Sequence, residues 1–263
     1  MLFFDNDHDT TTAMAEGTPM KNRYLQTGLL IGSVVFCFSI LIPAVATAEW
    51  YVDAYTGVVY TRNTDLAITG SDGSTTTFHD LKVNNNWTAG ARVGYWLDEM
   101  DWLGFGVDAF FFHLKTPPGQ TVTVTTSNST TSSANADWSL PGFGVGFDVL
   151  RLRIPLLRSE QFSHGRLQPF VSAGPALFIS YAGQNNYVTP GGQHAANVAV
   201  GSKVDAGVRF MLTSWLGVFG QYRFTHFTSK LEYQDTSSTT APEKTFKTTY
   251  DSHQFIGGLS FSF

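Results

Sequence analysis

From Trp50 to the end of the chain, apolar residues recur with a period of two about eight times, in runs of roughly ten residues or more, and no helical stripe competes with them. A period of two sends alternate side chains to opposite faces of a strand, so the composition of each face can be read separately. Trp87, Ala89, Ala91, Val93 and Tyr95 oppose Thr88, Gly90, Arg92, Gly94 and Trp96. Leu103, Phe105, Val107, Ala109 and Phe111 oppose Gly104, Gly106, Asp108, Phe110 and Phe112. Phe143, Val145, Phe147 and Val149 oppose Gly144, Gly146 and Asp148, while Val204, Ala206, Val208 and Phe210 oppose Lys203, Asp205, Gly207 and Arg209. Leu216, Val218, Tyr222 and Phe224 oppose Gly217, Phe219, Gln221 and Arg223. Asp53 and Gly57 likewise fall opposite Val52, Ala54 and Val58. In every run, charges share their face with glycine.

A soluble sandwich would turn the apolar face inward and leave the charges in water. Composition points the other way: charged residues make up only 14% of the chain and aromatics another 14%, against about 25% charge in an ordinary soluble domain. The formal net charge of -5 argues against a polyanion-binding surface as the main business of the chain, so nucleic acid is not an expected partner. Tryptophan marks the run ends: Trp50, Trp96, Trp102 and Trp215 lie beside short connections, and Trp87 and Trp138 at the far ends. That is the placement of two aromatic girdles at the interfaces of a bilayer.

Connection lengths alternate as well. Residues 97–101 and 212–214 are tight and 153–165 somewhat longer, whereas 62–86, 113–137, 183–195 and 228–246 are long and rich in Thr, Ser, Asn and Gly. The stretch Thr121 to Ala136 reads as a mobile external loop. Together these features predict an all-β fold: an eight-stranded antiparallel up-and-down transmembrane β-barrel with short periplasmic turns and long extracellular loops. The closing run puts Phe255, Gly257, Leu259, Phe261 and Phe263 on one face. Leu259, Phe261 and the terminal Phe263 resemble the signal by which outer-membrane assembly machinery recognises its clients.

The N-terminal 48 residues have a different character. Lys21 and Arg23, an apolar run from Leu29 to Leu41, Pro43 and then Ala46-Thr47-Ala48 follow the order of a cleavable secretory signal over 20–48, with residues 1–19 as a polar extension. The barrel domain is then 49–263. Cys37, the only cysteine, falls inside the leader, so the mature chain has no disulfide framework.

Arg92-Val93-Gly94-Tyr95-Trp96, Trp102-Leu103-Gly104-Phe105-Gly106-Val107-Asp108, Gln221-Tyr222-Arg223-Phe224-Thr225-His226-Phe227 and Ser252-His253-Gln254 together resemble the small Gram-negative outer-membrane β-barrel family, the porin-like proteins similar to the membrane domain of outer-membrane protein A. The resemblance covers nearly all of 49–263. It implies eight strands with both ends in the periplasm, and, with nothing globular after Phe263, no cell-wall tether.

The interior of an eight-stranded barrel is just wide enough for side chains to fill. The predicted inward polar set is Asp53, Arg92, Asp108, Asp148, Lys203, Asp205, Arg209, Gln221, Arg223 and Gln254. Its four acids and four bases can pair as a structural plug, or line a narrow gated ion path. Pairing is expected, because unpaired buried charge is costly. Some barrels of this size are enzymes, notably lipid A deacylases that carry a His-x-Ser pair and an acid near the outer end of a late strand. His226-Phe227-Thr228, with Glu232 and Glu243 nearby, is a thin parallel, and His226 runs in phase with lipid-facing Tyr222 and Phe224.

His79, His113, His164, His194 and His253 show no ligand spacing, so no metal or cofactor is expected. Gly142-x-Gly144-x-Gly146 opens no helix and reads as space for large interior neighbours. The expected role is non-catalytic, in envelope structure or surface interaction. A narrow ion or solute channel is the first alternative and a lipid A acyl hydrolase the second. Expected partners are outer-membrane lipids, lipopolysaccharide, the assembly machinery and an unidentified extracellular ligand at the loops.

Overall fold

Alternation of the kind seen in the sequence can be satisfied only if every strand finds two neighbours, and the structure closes that requirement into a ring. The computed structural model describes residues 49–70, 72–127, 129–135, 139–182, 195–233 and 244–263. The leader, the cleavage point and the 1–19 extension lie outside the described residues. So do Trp138, His194 and Glu243.

Twelve strands are formed: β1 (Glu49–Thr61), β2 (Thr64–Thr69), β3 (Thr75–Leu81), β4 (Asn86–Trp96), β5 (Leu103–Lys115), β6 (Thr121–Thr126), β7 (Ser129–Asn135), β8 (Ser139–Arg153), β9 (Leu167–Ala182), β10 (Ala195–Met211), β11 (Leu216–Tyr233) and β12 (Lys244–Ser262). Eight of them, β1, β4, β5, β8, β9, β10, β11 and β12, pair antiparallel in that order, and β1 closes on β12 from Tyr51↔Ser262 to Thr61↔Ser252. Closure removes both sheet edges, which a strand structure in lipid requires. The outward faces carry exposed Val58, Val93, Phe143, Val171, Val204, Val208, Val218, Phe255 and Leu259. Large apolar side chains exposed all around a closed ring are the lipid-facing surface of a transmembrane barrel.

The other four strands revise the loop assignment. The 62–86 and 113–137 connections are not irregular: they fold into the hairpins β2–β3 and β6–β7. β2 continues the sheet beyond the end of β1 by pairing with the outer end of β12, Leu66↔Thr248 to Thr69↔Thr245, and β3 then pairs with β6. Thr121–Thr126 and Ser129–Asn135 are therefore strand, not mobile loop. The reason is local: Val122 and Val124 alternate with threonine, a good strand former, and both valines are buried. The 228–246 connection also shrinks, since β11 runs to Tyr233 and β12 starts at Lys244.

One strand changes phase. β8 carries one residue more than either neighbour, between Gly104↔Arg151 and Gly106↔Asp148 on one side and between Gly146↔Ala176 and Leu150↔Ala173 on the other. This β-bulge leaves Val149 and Leu150 both outward and turns Arg151 and Arg153 into the barrel.

Candidate functional site: the barrel interior

The inward positions stack in three layers between the short-link end and the long-loop end. The middle layer is a salt-bridge cluster. Asp53 on β1, Arg92 on β4, Asp108 on β5, Asp148 and Arg151 on β8, Lys203, Asp205 and Arg209 on β10 and Arg223 on β11 all have side chains 0–1% exposed. They meet because the staggered ladders bring inward positions of successive strands toward one level.

Arg92 is the hub. Its guanidinium reaches Asp53 at 3.2 Å, Asp108 at 3.4 Å, Asp148 at 3.3 Å and Asp205 at 3.0 Å. Its Nη1 also donates to Gln221 Oε1 at 3.1 Å. Lys203 Nζ lies 2.7 Å from Asp148, 3.1 Å from Asp108 and 3.3 Å from Asp205. Arg223 spans Asp205 at 2.8 Å and Asp108 at 2.5 Å. Arg209 meets Asp53 at 3.1 Å and Arg151 meets Asp148 at 3.0 Å. Tyr55 completes the layer, donating to Asp108 Oδ2 and accepting from Arg223 Nη1, both at 3.2 Å.

The ten inward residues read from the sequence are all 5% exposed or less. Eight of them make the ion pairs. Gln221 accepts from Arg92, and Gln254 sits opposite Arg223 across the β11–β12 ladder. Sequence reasoning missed Arg151 and Arg153, because an unbroken period of two carries Arg151 onto the lipid face. A signal was present: Val149-Leu150 interrupts the alternation, and an arginine facing lipid would cost about 2–4 kcal/mol near the midplane. Tyr51 and Tyr55, in phase with Asp53, were also legible as inward residues and were overlooked.

Below the cluster, arginines are held by aromatic rings. Arg151 stacks over Phe170 at 4.5 Å and Tyr51 at 5.0 Å, Arg209 over Tyr51 at 5.0 Å, and Arg153 over Trp96 at 4.4 Å. Arg153 also pairs with Glu49 at 2.6 Å. Guanidinium N–H groups without a hydrogen-bond acceptor here face π clouds, the arrangement that cation–π attraction favours. Trp96 is accordingly not a girdle residue: it is 1% exposed and points inward, in phase with Arg92, where Gly104 leaves room for its ring. Trp50, Trp87, Trp102 and Trp215 are exposed and outward.

Above the cluster the interior is mainly apolar, with small hydroxyl residues such as Thr225 and Ser229 buried among the rings. Phe110, Phe112, Phe178 and Phe227 pack edge-on and stacked, with Phe178 and Phe227 4.0 Å apart, and Leu114, Leu140, Leu231, Phe246 and Tyr250 continue the layer toward the hairpins. The glycine-rich face explains itself here. A Cβ on Gly142 would lie 2.5 Å from Phe112, and one on Gly144 would overlap the Phe110 ring. Outer-face Leu259, Phe261 and Phe263 end the chain on the lipid side of β12.

A closed ring of eight antiparallel strands, apolar outside and ion-paired inside, defines a small barrel of the outer-membrane type. Comparison with solved structures gives the same class. The chain is similar to the outer membrane protein OprG from Pseudomonas aeruginosa, with a TM-score of 0.56 at 11% identity over 82% of this chain and 96% of that one. It is also matched to neisserial surface protein A, TM-score 0.41 at 15% identity over 81% and 97%. The N-terminal β-barrel domain of Pseudomonas aeruginosa OprF aligns with a TM-score of 0.37 at 9% identity over 82% and 97%. No protein-family model matches the sequence. No curated protein matches it either.

Proposed function

We propose that this chain is an outer-membrane barrel closed to passage, which anchors and presents a rigid extracellular sheet in a structural or surface-interaction role. The observation carrying this reading is the seal: four aspartates and five bases interlock at 0–1% exposure across the full cross-section, and a layer of phenylalanines lies directly above them. An aqueous ion path needs groups that water can reach, and ion pairs that lack water on every side are a plug. The four extra strands extend the wall outward, so the external surface is ordered sheet of Thr and Ser, suited to contacting other molecules. Outer-leaflet lipid and lipopolysaccharide are the partners of the apolar belt, and the Leu259-Phe261-Phe263 face is the segment offered to the assembly machinery. Purified protein in planar bilayers tests the seal: no discrete ion-current steps are expected. Defined steps that change on Arg92 or Arg209 substitution would establish the channel reading instead.

A further inference from the structure

The lipid-facing wall carries a row of three polar residues that neither the seal nor the girdles use. On β11 the outward series runs Leu216, Val218, Gly220, Tyr222, Phe224 and then His226, which lies above a first polar pair on the same face, the Tyr222 hydroxyl and His253 Nδ1 at 2.6 Å. Its Nδ1 donates to Asp251 Oδ1 on β12 at 2.6 Å, and the two residues are register partners. On the other flank, the register partner of His226 on β10 is Ser202. Ser202 is exposed and outward, set between Val200 and Val204, which are 72% and 48% exposed.

The three strands thus place a hydroxyl, an imidazole and a carboxylate side by side at one level of the outer face. Directly opposed residues on antiparallel strands have Cβ atoms about 4.5–5.5 Å apart. The two imidazole nitrogens point to nearly opposite sides of the ring. With Nδ1–H committed to Asp251, Nε2 is left as the proton-accepting nitrogen on the other side of the ring. Ser202 and His226 are register partners without a hydrogen bond between them, so proton transfer requires the Ser202 hydroxyl to rotate toward Nε2. The sequence suggested Thr228 and the glutamates 232 and 243 as companions of His226, but the structure commits Thr228 to Thr249 at 2.9 Å and supplies Asp251 as the acid.

We propose that Ser202, His226 and Asp251 form an acyl-ester cleaving site on the outer wall of the barrel, taking an ester-linked acyl chain of an outer-leaflet lipid. Ser202 is the nucleophile, His226 the general base and acid, and Asp251 the positioning residue. Ser202 Oγ attacks the ester carbonyl as its proton passes to His226 Nε2. The lipid alkoxide then leaves with that proton, and an acyl-serine remains. Water, deprotonated by His226, releases the fatty acid and restores Ser202. The substrate class follows from location: outward Val200, Val204 and Phe224 beside Ser202 and His226 give an acyl chain an apolar wall to lie on, next to polar side chains that can meet its ester. Strand amides are committed to the ladder, so turnover is slow, and nucleophile activation is the direct readout.

The test is a fluorophosphonate probe, with the folded protein in detergent micelles and the adduct located by peptide mass spectrometry. A phosphonyl adduct is expected on Ser202, absent in Ser202→Ala, slowed about 100-fold or more in His226→Gln, retained in Thr228→Val, and better retained in Asp251→Glu than in Asp251→Leu. All four positions of change are outward, and each of the five variants is checked for the heat-dependent gel mobility of a folded barrel. No adduct at Ser202, an adduct on Thr228 instead, or labelling of Ser202 indifferent to His226→Gln would overturn the assignment. The conductance result leaves this site untouched, so the two readings fail separately.

Discussion

Removing the Asp53 charge with Asp53→Asn should destabilise the barrel more than removing the better-connected Arg92. Arg92 contacts all four aspartates, yet after Arg92→Gln each keeps a base: Asp53 keeps Arg209, Asp108 and Asp205 keep Arg223 and Lys203, and Asp148 keeps Lys203 and Arg151. The loss is then that of charge-assisted hydrogen bonds, about 1–3 kcal/mol. Asp53, in contrast, is the only acidic partner of Arg209 among the described residues. Asp53→Asn leaves a buried guanidinium uncompensated, which costs about 3–5 kcal/mol. The assay is urea unfolding in phospholipid vesicles, followed by tryptophan fluorescence and by the fraction that keeps the folded gel mobility. Adding Arg209→Met to Asp53→Asn should recover stability, with a coupling of at least about 1 kcal/mol. If Asp53→Asn proves no worse than Arg92→Gln, or if the double variant recovers nothing, the charge accounting is wrong.

Other positions give sharp contrasts. Gly144→Ala should lower stability by about 1–3 kcal/mol through overpacking against Phe110, whereas Gly220→Ala, with nothing within 4 Å of its Cβ, should be silent in the same unfolding assay. Deleting Val149 removes the bulge but leaves Leu150 outward and Asp148, Arg151 and Arg153 inward, so the deletion should still fold in vesicles, whereas Val149→Arg, which puts a charge on the outer face, should lower the folding yield. In single-tryptophan variants, brominated lipid should quench Trp50, Trp87, Trp102 and Trp215 and leave Trp96 bright. In the β2–β3 turn, hydrogen bonds from the Ser74 hydroxyl and amide to Asp72 hold its carboxyl below the usual range. That contribution to the turn is present at neutral pH and lost as pH falls through the lowered value, and Ser74→Ala should return the Asp72 titration, followed by NMR, toward an ordinary carboxylate.

How much of this was legible depended on whether a feature lives within one strand or between strands. The phase of Arg92, Asp108, Lys203, Asp205 and Arg223 follows from a period of two in each run, and the burial cost of charge fixes which side they take. Arg151 and Arg153 depend on one extra residue in β8, a bulge whose only trace in the sequence is the adjacent pair Val149-Leu150. Trp96 obeys the alternation and departs from the girdle rule, because the arginines beneath it, displaced inward by that bulge, attract its ring. The hairpins β2–β3 and β6–β7 were hidden by Thr and Ser, which read as loop by composition although Val122 and Val124 alternate like any strand. The Ser202–His226–Asp251 row could not be seen at all, since its members are separated by 24 and 25 positions and meet only through register.

The most direct test of the central claim, a closed membrane barrel with its polar face inside, is a fractionation of the envelope followed by denaturing gels of unheated and boiled samples. The account predicts that the protein is recovered in the outer-membrane fraction and that boiling shifts its mobility, as a detergent-resistant closed barrel opens only on heating. A soluble periplasmic protein with one mobility under both conditions would contradict it, because the glycine-and-charge face would then be the one in water.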